Sequence, residues 1–306
     1  MVRERIVIAG GSGFLGGSLS DSLIADGNEV VVLSRRAVDA RGPARHVQWD
    51  GRSLGDWVSA LDGAKALVNL TGRSVNCRYS RENRREIIDS RINSVNILDR
   101  AITQCAKPPR VWVQAGSLAI YGNAGDRLCD ETASPGDGFS VNVCQQWENA
   151  FNDVSSRDIR RVFLRIGFVL GPDGGILTML ANLTRRFMGG TVGNGRQYIS
   201  WLHIDDLNQI FRWALDREQM TGVFNATSPE AVTNAEFMAQ LRKVLHRPWT
   251  LPTPAWAVHI GTWLMRTEAS LALTGRRCVL NRLQEIGFEF KHRDLSRALA
   301  NIYQCV

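Results

Sequence analysis

A chain of 306 residues with a net charge of +7 and ordinary apolar content is long enough for one large domain or two modest ones. The sequence pI of about 9.4 suits an anionic ligand, but basic residues alternate with acids, as in Arg81-Glu82-Asn83-Arg84-Arg85-Glu86, and no dense basic block or motif points to nucleic acid. There is no uncharged apolar run of membrane-span length and no signal-peptide pattern, and Cys77, Cys105, Cys129, Cys144, Cys278 and Cys305 include no C-x-x-C pair, so a cytoplasmic chain with free thiols, away from membranes, is expected.

Ile6-Val7-Ile8-Ala9 predicts a first strand, and the turn Gly10-Gly11-Ser12-Gly13-Phe14-Leu15-Gly16 follows it. Leu19, Leu23 and Ile24 then fall on one face of a helix that ends at Gly27. Val30-Val31-Val32-Leu33 predicts a second strand stopping at Ser34. In this strand–turn–helix–strand context Gly11-x-Gly13-x-x-Gly16 is a dinucleotide-binding signal, because glycines admit a pyrophosphate close to backbone N–H groups at a helix start. A site for NAD usually carries Asp or Glu at the end of the second strand, to accept from the ribose 2′-hydroxyl. Ser34-Arg35-Arg36 stands there instead. Guanidinium groups cannot accept but can clamp a 2′-phosphate, so the expected cofactor is NADP(H).

Further strands are predicted at His46–Trp49 and Ala66–Leu70, the latter ending in Thr71-Gly72. A long helix is expected from about Arg81 to Cys105, with Ile88, Ile92, Val95, Leu98 and Ile102 on its apolar stripe and Pro108-Pro109 beyond it. Val111–Ala115 is the next strand and stops at Gly116-Ser117. Phe139, Val143, Trp147, Phe151 and Val154 mark a second helix, and Arg161–Ile166 another strand. Strands alternating with helices imply a parallel sheet covered on both faces, with ligands at the carboxyl ends of the strands. Those ends are Gly10–Gly16, Ser34–Arg36, Leu70–Gly72 and Gly116–Ser117, with Ala115 as a further expected cofactor contact.

The second half is richer in loops, at Gly171–Gly175 and Gly189–Gly195. In His203-Ile204-Asp205-Asp206 a metal site is the weaker reading, and Asp205 as cap of the helix carrying Leu207, Ile210, Phe211 and Ala214 is the stronger. Thr233-Asn234-Ala235-Glu236 is a capping box. Trp256, Ile260, Trp263 and Leu264, between Pro254 and Met265, have helical spacing and read as a helix packed over the site.

Ser117-Leu118-Ala119-Ile120-Tyr121-Gly122, Arg165–Pro172 and Leu202–Asp206 resemble segments of the extended short-chain dehydrogenases/reductases. Asn69–Gly72, Ser90-Arg91-Ile92, Cys144–Glu148, Gly193–Gln197 and Val232–Phe237 resemble more narrowly the epimerase-family proteins typified by short-chain dehydrogenase family 39U. The resemblance spans nearly the whole chain. It implies an α/β fold, a Rossmann doubly wound parallel sheet with a smaller, mostly helical C-terminal lobe. The NADP-binding domain would take residues 1–170 and parts of 200–228, and the small substrate lobe 171–200 and 229–306. It also adds Glu86, Arg91 and Val169 to the expected cofactor contacts, and Ser117 as the catalytic hydroxyl. By analogy it implies a homodimer through the two long helices, for which Ile87 and Ile97 would supply apolar surface off the main stripe.

The resemblance fails at the proton relay. The superfamily pairs a Tyr with a Lys four residues later, whose charge lowers the phenol pKa. Aligning on Trp147-Glu148 puts Ser140 and Cys144 at those positions, and the register one residue earlier gives Phe139 and Val143. Tyr79 and Tyr198 are candidate replacement acids, Tyr121 reads as structural, and Cys144 as inert packing. Ile199 stands where nucleotide-sugar enzymes often carry a phosphate-binding Arg, with Arg196 three residues earlier. Two functions remain. One is an NADP(H)-dependent oxidoreductase or epimerase acting on a small hydroxyl or carbonyl compound, sugar-derived or not. The other is an NADP(H)-binding sensor or partner-binding module with little turnover.

Overall fold

The computed structural model describes residues 3–35, 43–156, 158–172, 174–250, 268 and 270–304. Its centre is a seven-stranded sheet in the order β11-β7-β5-β4-β1-β2-β3. The strands are β1 (Arg5–Ala9), β2 (Glu29–Ser34), β3 (Arg45–Gln48), β4 (Ala66–Asn69), β5 (Val111–Ser117), β7 (Arg160–Ile166) and β11 (Gly222–Ala226), while β6 (Leu128–Cys129) lies apart. Every pairing in the main sheet is parallel.

Continuous apolar strands follow from burial on both faces. In β1, Ile6 and Ile8 point to one layer and Val7 and Ala9 to the other. The first layer is filled by Leu19 and Leu23 of α1 (Phe14–Ala25) and by Leu207, Ile210 and Phe211 of α5 (Ile204–Asp216). The second is filled by Val95 and Leu98 of α2 (Arg81–Ile102) and by Trp147 and Phe151 of α3 (Phe139–Asn152). Ile87 and Ile97 are also buried inside the chain, at 0% and 2% exposure. They therefore offer no apolar surface to a second copy, because α2 packs on α3 as well as on the sheet and needs a wider apolar arc than one stripe.

A further core joins Leu177 of α4 (Gly175–Arg185), Leu170 of β8 (Phe168–Leu170) and Trp201 of β10 (Trp201–His203). Phe237 and Leu241 of α6 (Asn234–Val244) and Leu299 of the helix Leu295–Gln304 complete it. Short pairings tie these segments back. β9 (Tyr198–Ile199) pairs antiparallel with β12 (Val232–Thr233), and β13 (Arg277–Cys278) pairs parallel with β6. Thus Gly222–Ala226 returns to the main sheet between two excursions outside it.

The capping box forms: Thr233 Oγ1 accepts from Glu236 N–H at 3.3 Å, and Glu236 accepts from Thr233 N–H at 2.8 Å. Thr233→Ala should cost about 1 kcal/mol in urea denaturation. An unchanged midpoint would show that the box contributes nothing.

The other cap differs from expectation. His203 is the N-cap of α5, its Nδ1 accepting from Asp205 N–H at 3.1 Å, while Asp205 sits in the first turn. Asp205 instead accepts from Lys291 Nζ at 2.9 Å, and Asp206 takes the backbone N–H groups of Lys291 and His292. The long helix also ends earlier, at Ile102. The Pro254–Met265 segment lies outside the described residues. Cys77, Cys105, Cys129, Cys144 and Cys278 are free thiols. Among the described residues no helix is long and apolar enough to cross a membrane.

Candidate functional site

The carboxyl edge of the sheet gathers the predicted loops. Gly10 has φ +74°, and a Cβ there would stand 2.9 Å from Thr71, so the first turn can pass the β4 loop only as glycine. A Cβ on Gly16 would collide with the backbone of Gly11, which lets α1 start directly against the turn. Gly13 caps α1 without a side-chain bond, and nothing lies within 4 Å of where its Cβ would be. Ser12 and Gly13 are exposed, and Phe14 packs against Gly171 and Gly174. The result is an open cradle with helix N–H groups free of side-chain caps, which fits a pyrophosphate.

Two strand ends flank it. Ser34 is buried at the end of β2, and Arg35 is exposed beside it; Arg36 falls outside the described residues. After β4, Leu70 N–H bonds to Ala9 carbonyl at 2.8 Å, and Thr71 N–H to Asn69 Oδ1 at 3.0 Å. Asn69 is held in turn by Gln114 Oε1 at 2.9 Å and Ser94 Oγ at 3.2 Å. This buried polar set fixes the loop's shape and was not expected from the sequence. Its one signal was a polar residue in each of two apolar strands, Asn69 and Gln114.

Ser117 closes β5, with Ala115 and Gly116 buried before it. Its Oγ accepts from Ala119 N–H at 3.1 Å and so caps the short helix Leu118–Tyr121. An oxygen used as acceptor still leaves its own hydrogen to donate. Tyr121 is wholly buried, its hydroxyl accepting from Arg165 Nη1 at 2.7 Å and lying 2.8 Å from Asn225 Oδ1. Burial pushes its phenol up to about 12.

Helix α3 lies behind Ser117. It carries both candidate registers of the usual relay, Ser140 with Cys144 and Phe139 with Val143. Burial pushes the Cys144 thiol up to about 12, so it stays neutral. Glu148 grips Arg165 with both oxygens, at 2.7 and 2.8 Å.

Two groups reach α3 from elsewhere. Tyr79 lays its ring edge-on to Phe139 with centroids 4.7 Å apart. Its buried hydroxyl lies beside the Ser140 hydroxyl, and among the described residues no other group partners it. Arg91 crosses from α2 to lie 4.9 Å over Trp147, in van der Waals reach of Gly72, donating from Nη1 to the carbonyls of Ile87 and Arg73 at 2.8 and 3.1 Å. Glu86 pairs with Arg73, which places it in a half-exposed ion pair. Val169 sits in β8 beside Leu202. Tyr198 lies in β9 under Arg277, 5.2 Å from ring to guanidinium.

Among the described residues His203, Asp205 and His292 bring potential ligand atoms within 4.8 Å of one another. His203 Nδ1 is used as the α5 cap, and Lys291 sits on Asp205, so the cluster is already held together by its own hydrogen bonds and charge. Burial, with His292 close by, lowers the His203 pKa to about 4.

Residues 6–226 match the NAD dependent epimerase/dehydratase family, and residues 253–302 match a domain of unknown function, DUF1731. The epimerase family protein SDR39U1 homolog of Arabidopsis thaliana, described as chloroplastic, is 34% identical over 98% of this chain and 86% of its own. Epimerase family protein SDR39U1 of Homo sapiens is 33% identical over 97% of this chain and 99% of its own. A crystal structure of the human protein with NADPH superimposes with a TM-score of 0.88 at 31% identity, over 99% of this chain and 100% of that one. A nucleoside-diphosphate sugar epimerase from Corynebacterium glutamicum gives a TM-score of 0.78 at 28% identity, over 99% of this chain and 59% of the other.

Proposed function

The chain belongs to the NAD dependent epimerase/dehydratase family, and from that membership we propose that it binds NADP(H) and acts as an oxidoreductase or epimerase on a small hydroxyl or carbonyl compound. The observation that carries the reading is the cradle itself: an uncapped α1 start beside Gly13, next to a β2 end that offers Ser34 and Arg35 and no acid. The NADPH named with the human relative's structure agrees with it. Gly10–Gly16 would hold the pyrophosphate, Ser34 and Arg35 the 2′-phosphate, and Leu70–Gly72 with Ala115 and Gly116 the ribose and nicotinamide side. The bound cofactor supplies hydride chemistry. Ser117 would donate its free hydroxyl hydrogen to the substrate oxygen, where charge develops.

Each charge-assisted contact to the 2′-phosphate contributes roughly 1.5–3 kcal/mol. Fluorescence titration should therefore show at least about a tenfold preference for NADPH over NADH. Arg35→Ala should erase most of that preference and leave NADH affinity nearly unchanged. Equal affinities in the unmodified protein would refute the NADP assignment.

A second reading has one specific observation behind it. The neutral, buried Cys144 and the short Ser140 cannot act as a Tyr–Lys pair. A sensor that binds NADP(H) without turnover would need no such pair. It gains ground if no aldehyde, ketone or sugar derivative in a broad screen oxidises NADPH above background.

A further inference from the structure

The proton relay missing from α3 has a counterpart assembled from a different part of the chain. Tyr79 precedes α2 and is anchored by its own backbone. Its N–H donates to Glu268 Oε1 at 2.6 Å, and its carbonyl accepts from Arg84 Nε at 2.9 Å. With the ring packed on Phe139, the hydroxyl arrives at the first turn of α3 beside Ser140, and these are the two positions at which the alignment sets the family's tyrosine. Among the described residues the Ser140 hydroxyl is the one group beside that buried oxygen, and it is not aligned as a full hydrogen-bond partner, which is costly unless a ligand or water completes the set.

Arg91 supplies the charge. Its guanidinium lies over the Trp147 ring, and its charge acts on both the Tyr79 phenol and Cys144, which one of the two registers sets at the family's lysine position. Among the described residues it meets no carboxylate, and its hydrogen bonds run to the Ile87 and Arg73 carbonyls. The Gly72 loop at the carboxyl end of β4 packs on the same guanidinium, which places this charge between the expected cofactor and α3. A lysine reaching up from α3 and an arginine reaching across from α2 are interchangeable as cations near a phenol, since both favour the phenolate.

We propose that Tyr79 is the proton-transfer residue of the site and that Arg91 is the cation that stabilises its phenolate, a relay contributed by the β4–α2 segment in place of α3. The proposal rests on the NADP(H) reading above. In the reducing direction the carbonyl carbon accepts the hydride that NADPH supplies, and the C=O π pair moves to oxygen. Tyr79 gives its proton to that oxygen, and the phenolate left behind is neutralised by Arg91 until water reprotonates it. The balance is carbonyl plus NADPH plus H⁺ giving alcohol plus NADP⁺. The ionisable groups that face Tyr79 are Cys77, Glu268, Arg84 and Arg91. Burial is the largest influence and raises the phenol's pKa, with Cys77 and Glu268 acting in the same direction and the Ser140 hydroxyl, then Arg91, acting against them. A phenol so placed is protonated at neutral pH and ready to donate.

The test is ¹³Cζ-tyrosine NMR on the full chain, which has four tyrosines. Tyr79→Phe assigns its signal, and if that variant does not fold, single Phe replacements of the other three assign it by elimination. The cofactor's nicotinamide is cationic only when oxidised. Tyr79 should therefore become about tenfold or more acidic when NADP⁺ replaces NADPH in the complex, while Tyr121 and Tyr303 do not respond. In the NADP⁺ complex Arg91→Met should make Tyr79 about tenfold less acidic, and Arg91→Lys should restore most of the difference. A Tyr79 that titrates identically in both complexes, with NADPH binding intact, overturns the relay alone. Absence of NADPH binding removes the cofactor reading and the relay with it. If Arg91→Met does not fold, the comparison of the two complexes decides.

Discussion

Glu148→Ala should be among the most damaging single substitutions in the chain, lowering stability by about 3–5 kcal/mol. Arg165 is only 8% exposed. Burial disfavours its charge, but two bonds to Glu148, together with Tyr121, more than compensate and hold it protonated above its ordinary range. Removing the carboxylate strands a buried guanidinium whose remaining partners, Tyr121 and the Glu131 carbonyl at 3.1 Å, are neutral. Tyr121 in turn touches Asn225, whose amide donates to the carbonyls of Cys129 and Val279, so the damage should spread from α3 to β6 and β11. Thermal unfolding should drop by roughly 10 °C. Glu148→Gln keeps one acceptor and should lose less. A loss under about 1 kcal/mol for the alanine variant would mean that water reaches Arg165 and replaces the pair.

Ser117→Ala should slow turnover by about 10²–10³-fold with NADPH affinity unchanged. The structure sharpens the reason. Ser117 Oγ is fixed by accepting from Ala119 N–H, which locks its position at the end of β5 and leaves its own hydrogen able to donate. A donor so fixed needs no reorganisation when charge develops on a substrate oxygen. Alanine keeps the backbone but removes that donor, and it also removes one cap from the short helix Leu118–Tyr121, so folding should be checked by circular dichroism. The measurement is NADPH oxidation with whichever aldehyde, ketone or sugar derivative the screen identifies. Wild-type turnover in the variant with intact NADPH binding would remove Ser117 from the chemistry.

Much of the fold was legible because its signals are local. Ile6–Ala9, the Gly11-x-Gly13-x-x-Gly16 turn and the stripe of α1 lie within one stretch, and steric and periodic rules act on neighbours. The capping box at Thr233 and Glu236 was visible for the same reason. The second cap was misjudged because both His203 and Asp205 are able to cap. The choice depended on Lys291 and His292, some 86 residues away, which engage the acids of the first turn.

The sequence by itself determined the parallel sheet, the glycine-rich turn after β1, the unusual end of β2 and the absence of Tyr and Lys from α3. Each of these is a property of which residues follow one another. Only the tertiary structure decided that Ile87 and Ile97 are core, because periodicity reports one buried face and α2 has two. It also decided that Asn69, Ser94 and Gln114 form one buried network beneath the β4 loop. Above all, it placed Tyr79 against Phe139 and Arg91 over Trp147. Those partners are far apart in the chain, and the packing of α2 on α3 that unites them is fixed by side chains between helices, a quantity no local pattern records.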